Sequence, residues 1–480
     1  MSGTAQTILY QAFEVDSAAE PRGGTAFFTT FIQANLCKPI TAEAQGIGGL
    51  VIVTGVVETD GHVSNVRIIK SLRPDCDREA VRVFSLYNAW KPALKDGKTV
   101  RQTVNMPISF KPNSPFTYKD AVRISYFDAA NKPIADSSQA VYKQLIPIDT
   151  SGLPTGDVVL YKLSGTVWKK DFQLPLVRKK ERTHFMPSQP FQLLGYLSAN
   201  DLWEGMLFTL DKEGKRINQT YYHNGKQYGP SISYHPNGAV AQKTDDFEDR
   251  TNSTFWYPNG QIKQVSSETK VNYSTHDSTG TYMKLNSPVR VMGFWTSDGR
   301  QLVKDGNGQF IDKGETASRS DTTKQTRFTE QGQYKNGFKQ GIWTIRYADN
   351  SYYYEEEYDD GYFQKGKSYL VRSDTLRYTQ YDLMPEFQGG VKGLQKFLKD
   401  NLHYPVNAQR ARIQGMVFVS FFVHADGSLS DYEIVRSVNP DLDQEAIRVV
   451  KRMSGRWVSR LPGRQNAHVK FNLPINFRLQ

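Results

Sequence analysis

The side chains that could ligate a metal or carry a nucleophilic reaction are present in this chain but are not spaced for either task. None of the eight histidines forms an HExxH pair or another close metal-binding pair. His403 and His424 lie in a stretch that occurs twice, and the matching positions are Cys37 and Glu58, so neither histidine has a role that both copies share. Cys37 and Cys76 make no metal pair and no redox motif. Cys76 matches Leu442 in the other copy, which points to a core position, and the sequence leaves a disulfide open. No G-x-S-x-G elbow and no P-loop occurs. Gly46-Ile47-Gly48-Gly49 has the look of a phosphate loop, yet it matches Arg412-Ile413-Gln414-Gly415 at a strand start, so turn flexibility accounts for it. The carboxylates Glu355, Glu357, Asp359 and Asp360 fall in a tyrosine-rich hairpin and read as a solvated turn. The expectation is a non-enzymatic protein with no cofactor, no metal site and no small-molecule substrate.

The duplication itself is the stronger signal. Gly23-Gly24 matches Gly389-Gly390, Pro39 matches Pro405, Asp60-Gly61 matches Asp426-Gly427, and Ser71 matches Ser437. Asp77, Glu79 and Ala80 match Asp443, Glu445 and Ala446 at the same shift. About 24 of 61 positions are identical without a gap, up to just before Trp90 and Trp457, so one module is used twice. The expected domains are 18–111, 112–216, 217–370 and 384–480.

Composition bounds the class. Hydrophobic residues make up 38% of the chain and the formal net charge is +11. Residues 384–480 carry 14 Lys/Arg against 8 Asp/Glu, but these are scattered and no nucleic-acid motif accompanies them, so no nucleic-acid partner is expected. No run of about 18 apolar residues is present, and the first 25 residues show no secretion signal.

The module's elements are legible in its C-terminal copy. Val391, Leu394, Leu398 and Leu402 fall on one face, which predicts a helix over 391–402, matched by one over 27–36. Tyr404-Pro405 stops it. Val417, Val419, Phe421 and Val423 alternate after Gly415, which predicts a strand over 414–424. Asp426-Gly427 is a hairpin signal leading to a second strand over 429–438. Asn439-Pro440 opens a helix bearing Leu442, Asp443, Ala446, Val449 and Met453. Trp457 and Trp90 follow this helix in the same context and are expected to be buried. A Pro462-Gly463 turn leads to a last strand over 467–479, with Val469, Phe471, Leu473, Ile475 and Phe477 pointing one way. Pro474 removes a donor from that strand and suits a sheet edge. An edge can accept another chain as an added strand.

PEFQGG, LHYP, the ADG hairpin, LDQEA, the Trp and LPINF together resemble the C-terminal domain of TonB energy transducers, in the form common in Bacteroidetes-type bacteria. The N-terminal copy departs from that pattern with Lys38-Pro39, Cys76-Asp77 and Met106-Pro107-Ile108. The resemblance implies an α+β fold at each end, a small antiparallel sheet covered by two helices. It implies a periplasmic location and binding of outer-membrane TonB-dependent transporters by strand addition, through the edge strand bearing Val469, Phe471, Leu473, Ile475 and Phe477. It implies Tyr404, Pro405, Gly415, Asp426, Gly427, Leu442, Asp443, Ala446, Trp457 and Trp90 as structural motif residues. Inner-membrane proton-motor proteins would be partners if the chain is a truncated transducer, with a membrane helix encoded upstream. The alternative is a soluble periplasmic scaffold or interaction protein that acts through MORN-like repeats in its middle, without energy transduction.

The middle has another texture. Asx-Gly dipeptides at Asn224-Gly225, Asn237-Gly238, Asn259-Gly260, Asp298-Gly299, Asn336-Gly337 and Asp360-Gly361 are hairpin signals. YHPNGAV and WYPNGQI recur about 22 residues apart. The Gly and aromatic spacing from Gly332 to Trp343 resembles MORN-type repeats, which implies stacked hairpins serving as a spacer or interaction surface. For 112–216 no function is read. The basic run from Arg178 to Arg182 reads as a solvated loop or strand end.

Overall fold

The computed structural model describes residues 8–479 apart from 135–136, 182–190, 200, 271–273, 277–281, 285–287, 322, 371–374, 380–384, 425 and 459–467. Met384, Arg182, the Pro462-Gly463 turn and Ala467 therefore lie outside the described residues. The chain is strand-rich, 53% strand against 15% helix.

The N-terminal copy holds helices α1 (Thr25–Asn35), α2 (Ile40–Ala44) and α3 (Pro74–Ser85). Its sheet runs in the order Leu9–Tyr10, Lys98–Phe110, Gly49–Val57, Val63–Lys70. The C-terminal copy holds α4 (Gly390–Asn401), α5 (Val406–Arg410) and α6 (Pro440–Lys451), with strands ordered Leu429–Arg436, Gly415–His424, His468–Phe477. The two-helix description thus needs a third, short helix in each copy. Pro405 does more than stop α4: its φ of −60° makes it the N-cap of α5. Pro39 does the same for α2. Val391 is exposed, and Phe397 takes the buried place on α4.

Local chemistry explains α6. The Asn439 side chain accepts a hydrogen bond from Asp441 N at 2.9 Å, Pro440 fills the first turn, and Arg448 and Lys451 sit in the last turn, where positive charge is favoured. Val417, Val419, Phe421 and Val423 all point into the core, against Leu442, Ala446, Val449 and Met453 of α6. That alternation buries one face of the strand, while the other is only partly covered, with Met416 exposed and Ser420 buried.

Between the copies, strands within 117–174 form one sheet, and 176–379 form a second, antiparallel sheet of 16 strands, in which each strand pairs with its neighbour in sequence. The boundary expected at 216/217 falls inside this large sheet, in the strand Arg216–His223. Asp211 and Gly214 shape the preceding turn without an Asx-Gly dipeptide, so the earlier hairpin carries no such signal. The basic run lies on the first strand of the sheet, Leu176–Glu181. The six Asx-Gly dipeptides named above all sit between paired strands. In three of them both residues have positive φ, as in Asn336 (52°) and Gly337 (88°), the geometry of a tight hairpin. Gly332 lies beneath Trp343, and a Cβ there would be 2.2 Å from the indole. The large sheet makes one excursion, the hairpin of Ser274–His276 and Tyr282–Lys284.

The two copies attach to this sheet differently. In the N-terminal copy, α1 presents Phe27 to Trp295 (4.9 Å between ring centres) and Phe31 to Trp256 (6.4 Å). Val240 N donates to Asn35 Oδ1 at 2.7 Å, and Asn88 N donates to Asn259 O at 2.8 Å. Ala239, Val240, Trp256, Ile262 and Trp295 of the sheet belong to the same apolar core as Phe28, Phe84 and Trp90 of the copy. Among the described residues, the core of the C-terminal copy contains only its own side chains. Its links to the sheet include Lys226 to Glu433 (2.7 Å) and Lys451 Nζ to Asp201 O (3.0 Å), beside a cleft of about 1040 Å³.

Candidate functional site

The motif residues of the C-terminal copy brace its corners. Asp443 accepts from Ser437 Oγ at 2.5 Å and from Val438 N at 3.3 Å, closing the turn between strand and α6. Asp77 does the same with Ser71 and with Leu72 N. Leu442 and Ala446 are fully buried. Tyr404 donates its hydroxyl hydrogen to Ile413 O at 2.5 Å and packs on Phe477. In the N-terminal copy Lys38 takes its place and donates to Lys111 O at 2.9 Å. Gly415 starts its strand with Val438 2.9 Å from where a Cβ would be. Asp426 Oδ1 accepts from Ser428 N at 2.8 Å and shapes the hairpin that Gly427 completes. Trp457 and Trp90 are both buried, Trp457 against Phe387, Phe421 and Phe471.

One clamp escaped the sequence reading. Arg448 makes a forked contact with Glu445, both at 2.6 Å, and also donates to Asn401 O at 2.6 Å. Glu445 in turn accepts from His403 N at 2.7 Å. The pair ties α6 to the end of α4. Glu79 and Arg82 repeat every one of these bonds, to Cys37 N and Asn35 O. The signal was the Glu-x-x-Arg spacing in both copies, which puts the two side chains one turn apart.

The carboxylates of the tyrosine-rich hairpin divide by face. Glu355 and Glu357 pair outward with Lys367 and Lys365, each at 3.0 Å. Glu356 between them is buried and accepts from Tyr358 OH at 2.7 Å. A solvated turn therefore describes only part of this segment. Both cysteines are free: Cys37 is exposed and Cys76 is buried, where desolvation pushes its thiol up to about 11. Among the described residues no three His, Cys, Asp or Glu side chains converge to hold a metal. Nor is any described helix long and apolar enough to cross a membrane.

The strand His468–Phe477 lies at one edge of its sheet and pairs with Gly415–His424 throughout its length. Leu473, Ile475 and Phe477 are buried beneath it, and Phe471 stacks 4.7 Å from Trp457. These side chains hold the domain together, so what the strand offers outward is backbone. The side chain of Val469 lies outside the described part. Pro474 faces Phe418 with no break in register. Proline has no N–H and fits where the nitrogen points away from the ladder. Donor direction alternates along a strand, which turns the N–H groups of Asn472 and Asn476 outward too. The Tyr282–Lys284 strand of the excursion lies alongside this edge without joining its ladder.

Two stretches of the chain, 39–112 and 400–479, match the family model of the Gram-negative bacterial TonB protein C-terminal region. Among solved structures, the NMR solution structure of the Helicobacter pylori TonB C-terminal domain is similar at 27% identity, over 18% of this chain and 78% of that one, with a TM-score of 0.16. No curated protein matches the chain.

Proposed function

We propose that this chain, a TonB-family protein with two TonB C-terminal domains, grips an outer-membrane transporter by adding a strand of that transporter to His468–Phe477. TonB-family proteins act in the periplasm and interact with such transporters and with a proton-motor complex. In this reading the protein works there without enzymatic chemistry, in support of energy-dependent transport. The observation that carries the reading is the edge position of His468–Phe477, with its apolar side chains turned inward and its other edge outside any ladder among the described residues. An incoming extended segment would be held by main-chain hydrogen bonds, and its own side chains would set the specificity. The hairpin beside this edge would have to shift to admit it.

The test is calorimetric titration of the chain with extended peptides from the periplasm-facing N-termini of such transporters. Asn472→Pro removes an outward N–H and should weaken binding while leaving circular dichroism unchanged. Leu473→Pro removes an inward one and should unfold the copy. Equal binding by the wild type and Asn472→Pro would sink strand addition at this edge.

A second reading has its own support. The N-terminal copy and the 16-stranded sheet share one apolar core, which suits a rigid scaffold whose MORN-type middle is the working surface. Tight binding of a partner by the chain that survives Asn472→Pro would favour it.

A further inference from the structure

The equivalent edge in the N-terminal copy is occupied by the chain itself. Leu9–Tyr10 pairs in parallel with Arg101 and Gln102, on the side of Lys98–Phe110 away from Gly49–Val57. The segment 8–17 is held there mainly through main-chain and polar groups. Asp16 N and Ser17 N donate to Leu94 O at 2.8 and 3.1 Å, and Leu94 N donates back to Ser17 O at 2.9 Å. Asp96 N donates to Asp16 Oδ2 at 2.6 Å, and the Lys95 ammonium lies 4.5 Å from the centre of the Tyr10 ring. Meanwhile Ile8, Leu9 and Phe13 are 65%, 43% and 87% exposed. The segment therefore buries little apolar surface in return for its place on the edge.

Among the described residues it has no twin in the other copy. Counting back at the shift that matches Glu20–Pro21 with Glu386–Phe387, its counterpart runs into Leu376–Thr379, which is instead the last strand of the large sheet.

We propose that residues 8–17 are a displaceable strap, an autoinhibitory contact that closes the N-terminal copy's edge strand to strands from other molecules. The partner it excludes is an extended segment that, like Leu9–Tyr10, would be bound through its main chain. Pro107 pairs with Ile52 without a break, so the outward N–H groups of this strand include those of Arg101, Thr103 and Asn105. The strap covers the first of these and stands in the path of a strand that would use all three. Because the strap is tethered, its effective concentration is in the millimolar range, and a free strand competes poorly until the strap leaves. The proposal extends the strand-addition reading to the other copy, but it is tested with the strap's own sequence and needs no transporter.

The probe is a fluorescent peptide of residues 6–17, titrated by anisotropy against the full chain and against a chain lacking residues 1–17. The shortened chain should bind it, and the full chain should bind at least about tenfold more weakly. Thr103→Pro in the shortened chain should abolish that binding. Tyr10→Pro in the full chain should loosen the strap, raising peptide affinity and speeding exchange of the Arg101 amide hydrogen. Equal affinity of the two chains, or no binding by a shortened chain that keeps its circular dichroism, would overturn the proposal. So would loss of the fold in both the shortened chain and Tyr10→Pro, since the segment would then be a structural part and not a displaceable one.

Discussion

The carbonyl oxygen of Trp457 lies 2.1 Å from the point where a Cβ on Gly427 would be. Gly61 stands in the same relation to Trp90, at 2.2 Å. In each copy the hairpin between the first two strands passes directly over the backbone that follows the second long helix. Gly427 also has φ of +80°, so two separate constraints exclude a side chain there. Gly427→Ala should lower stability by about 1–3 kcal/mol, read as a shift in the denaturation midpoint of the C-terminal copy. Gly61→Ala should act alike on the N-terminal copy. A loss below about 0.5 kcal/mol in both would show that the hairpin can lift off its tryptophan.

The Glu445–Arg448 clamp carries the next expectation. Glu445 is only 8% exposed, and removing its partner leaves a buried charge. Arg448→Met should therefore cost about 1–3 kcal/mol, since Arg448 is partly exposed and Glu445 keeps the hydrogen bond from His403 N. Adding Glu445→Gln should recover part of that loss, because the stranded charge is then gone. Chemical denaturation of the single and double variants measures both. If the double variant is no more stable than Arg448→Met, the cost is lost packing and not an uncompensated charge.

Docking of the N-terminal copy should appear in calorimetry. Because Phe27, Phe31, Trp256 and Trp295 join one core, the N-terminal copy and the large sheet should unfold together, with the C-terminal copy unfolding separately. Trp256→Ala should cost about 3–5 kcal/mol and lower the first transition alone. A matching drop in the transition of the C-terminal copy would mean that the copies are coupled more tightly than their cores suggest.

Glu58 gives a pH signature. The hydrogen bonds from Arg101, helped by Ser64, hold its carboxyl below the usual value of 4.5, against a smaller opposing effect of burial. A depressed folded pKa stabilises the fold above the unfolded value and loses that contribution as pH falls through the folded one. The stability gap between wild type and Glu58→Gln should thus be full above about pH 5 and close progressively in more acid solution. Urea titrations at several pH values would measure it, and a gap that widens on acidification would contradict the assignment.

Much of each end was legible from pattern alone. Apolar residues at alternating and helical spacing depend only on which face meets a core, and the duplication doubled every signal. The buried tryptophans, the paired strands and the Asx-Gly hairpins of the middle are local consequences of residue type. The short helix after each proline was missed because five residues are too few to show a period. Glu356 carried no signal of its own, because the flanking charges give no sign that its side chain faces the other way.

What the sequence by itself determined is the module and its two occurrences, since identity at a constant shift needs no coordinates. Only the tertiary structure decided how differently the copies are used. Phe27 replaces Gly393 on the first helix, yet nothing in the chain says that it will meet Trp295, which is 268 positions away in sequence. The same holds for the strand edges. Residues 8–17 and Leu376–Thr379 stand at comparable places before their copies, and one closes an edge while the other completes a sheet. Backbone pairing of this kind is made by N–H and C=O groups that every residue carries, so side-chain types do not announce which strand an edge will take.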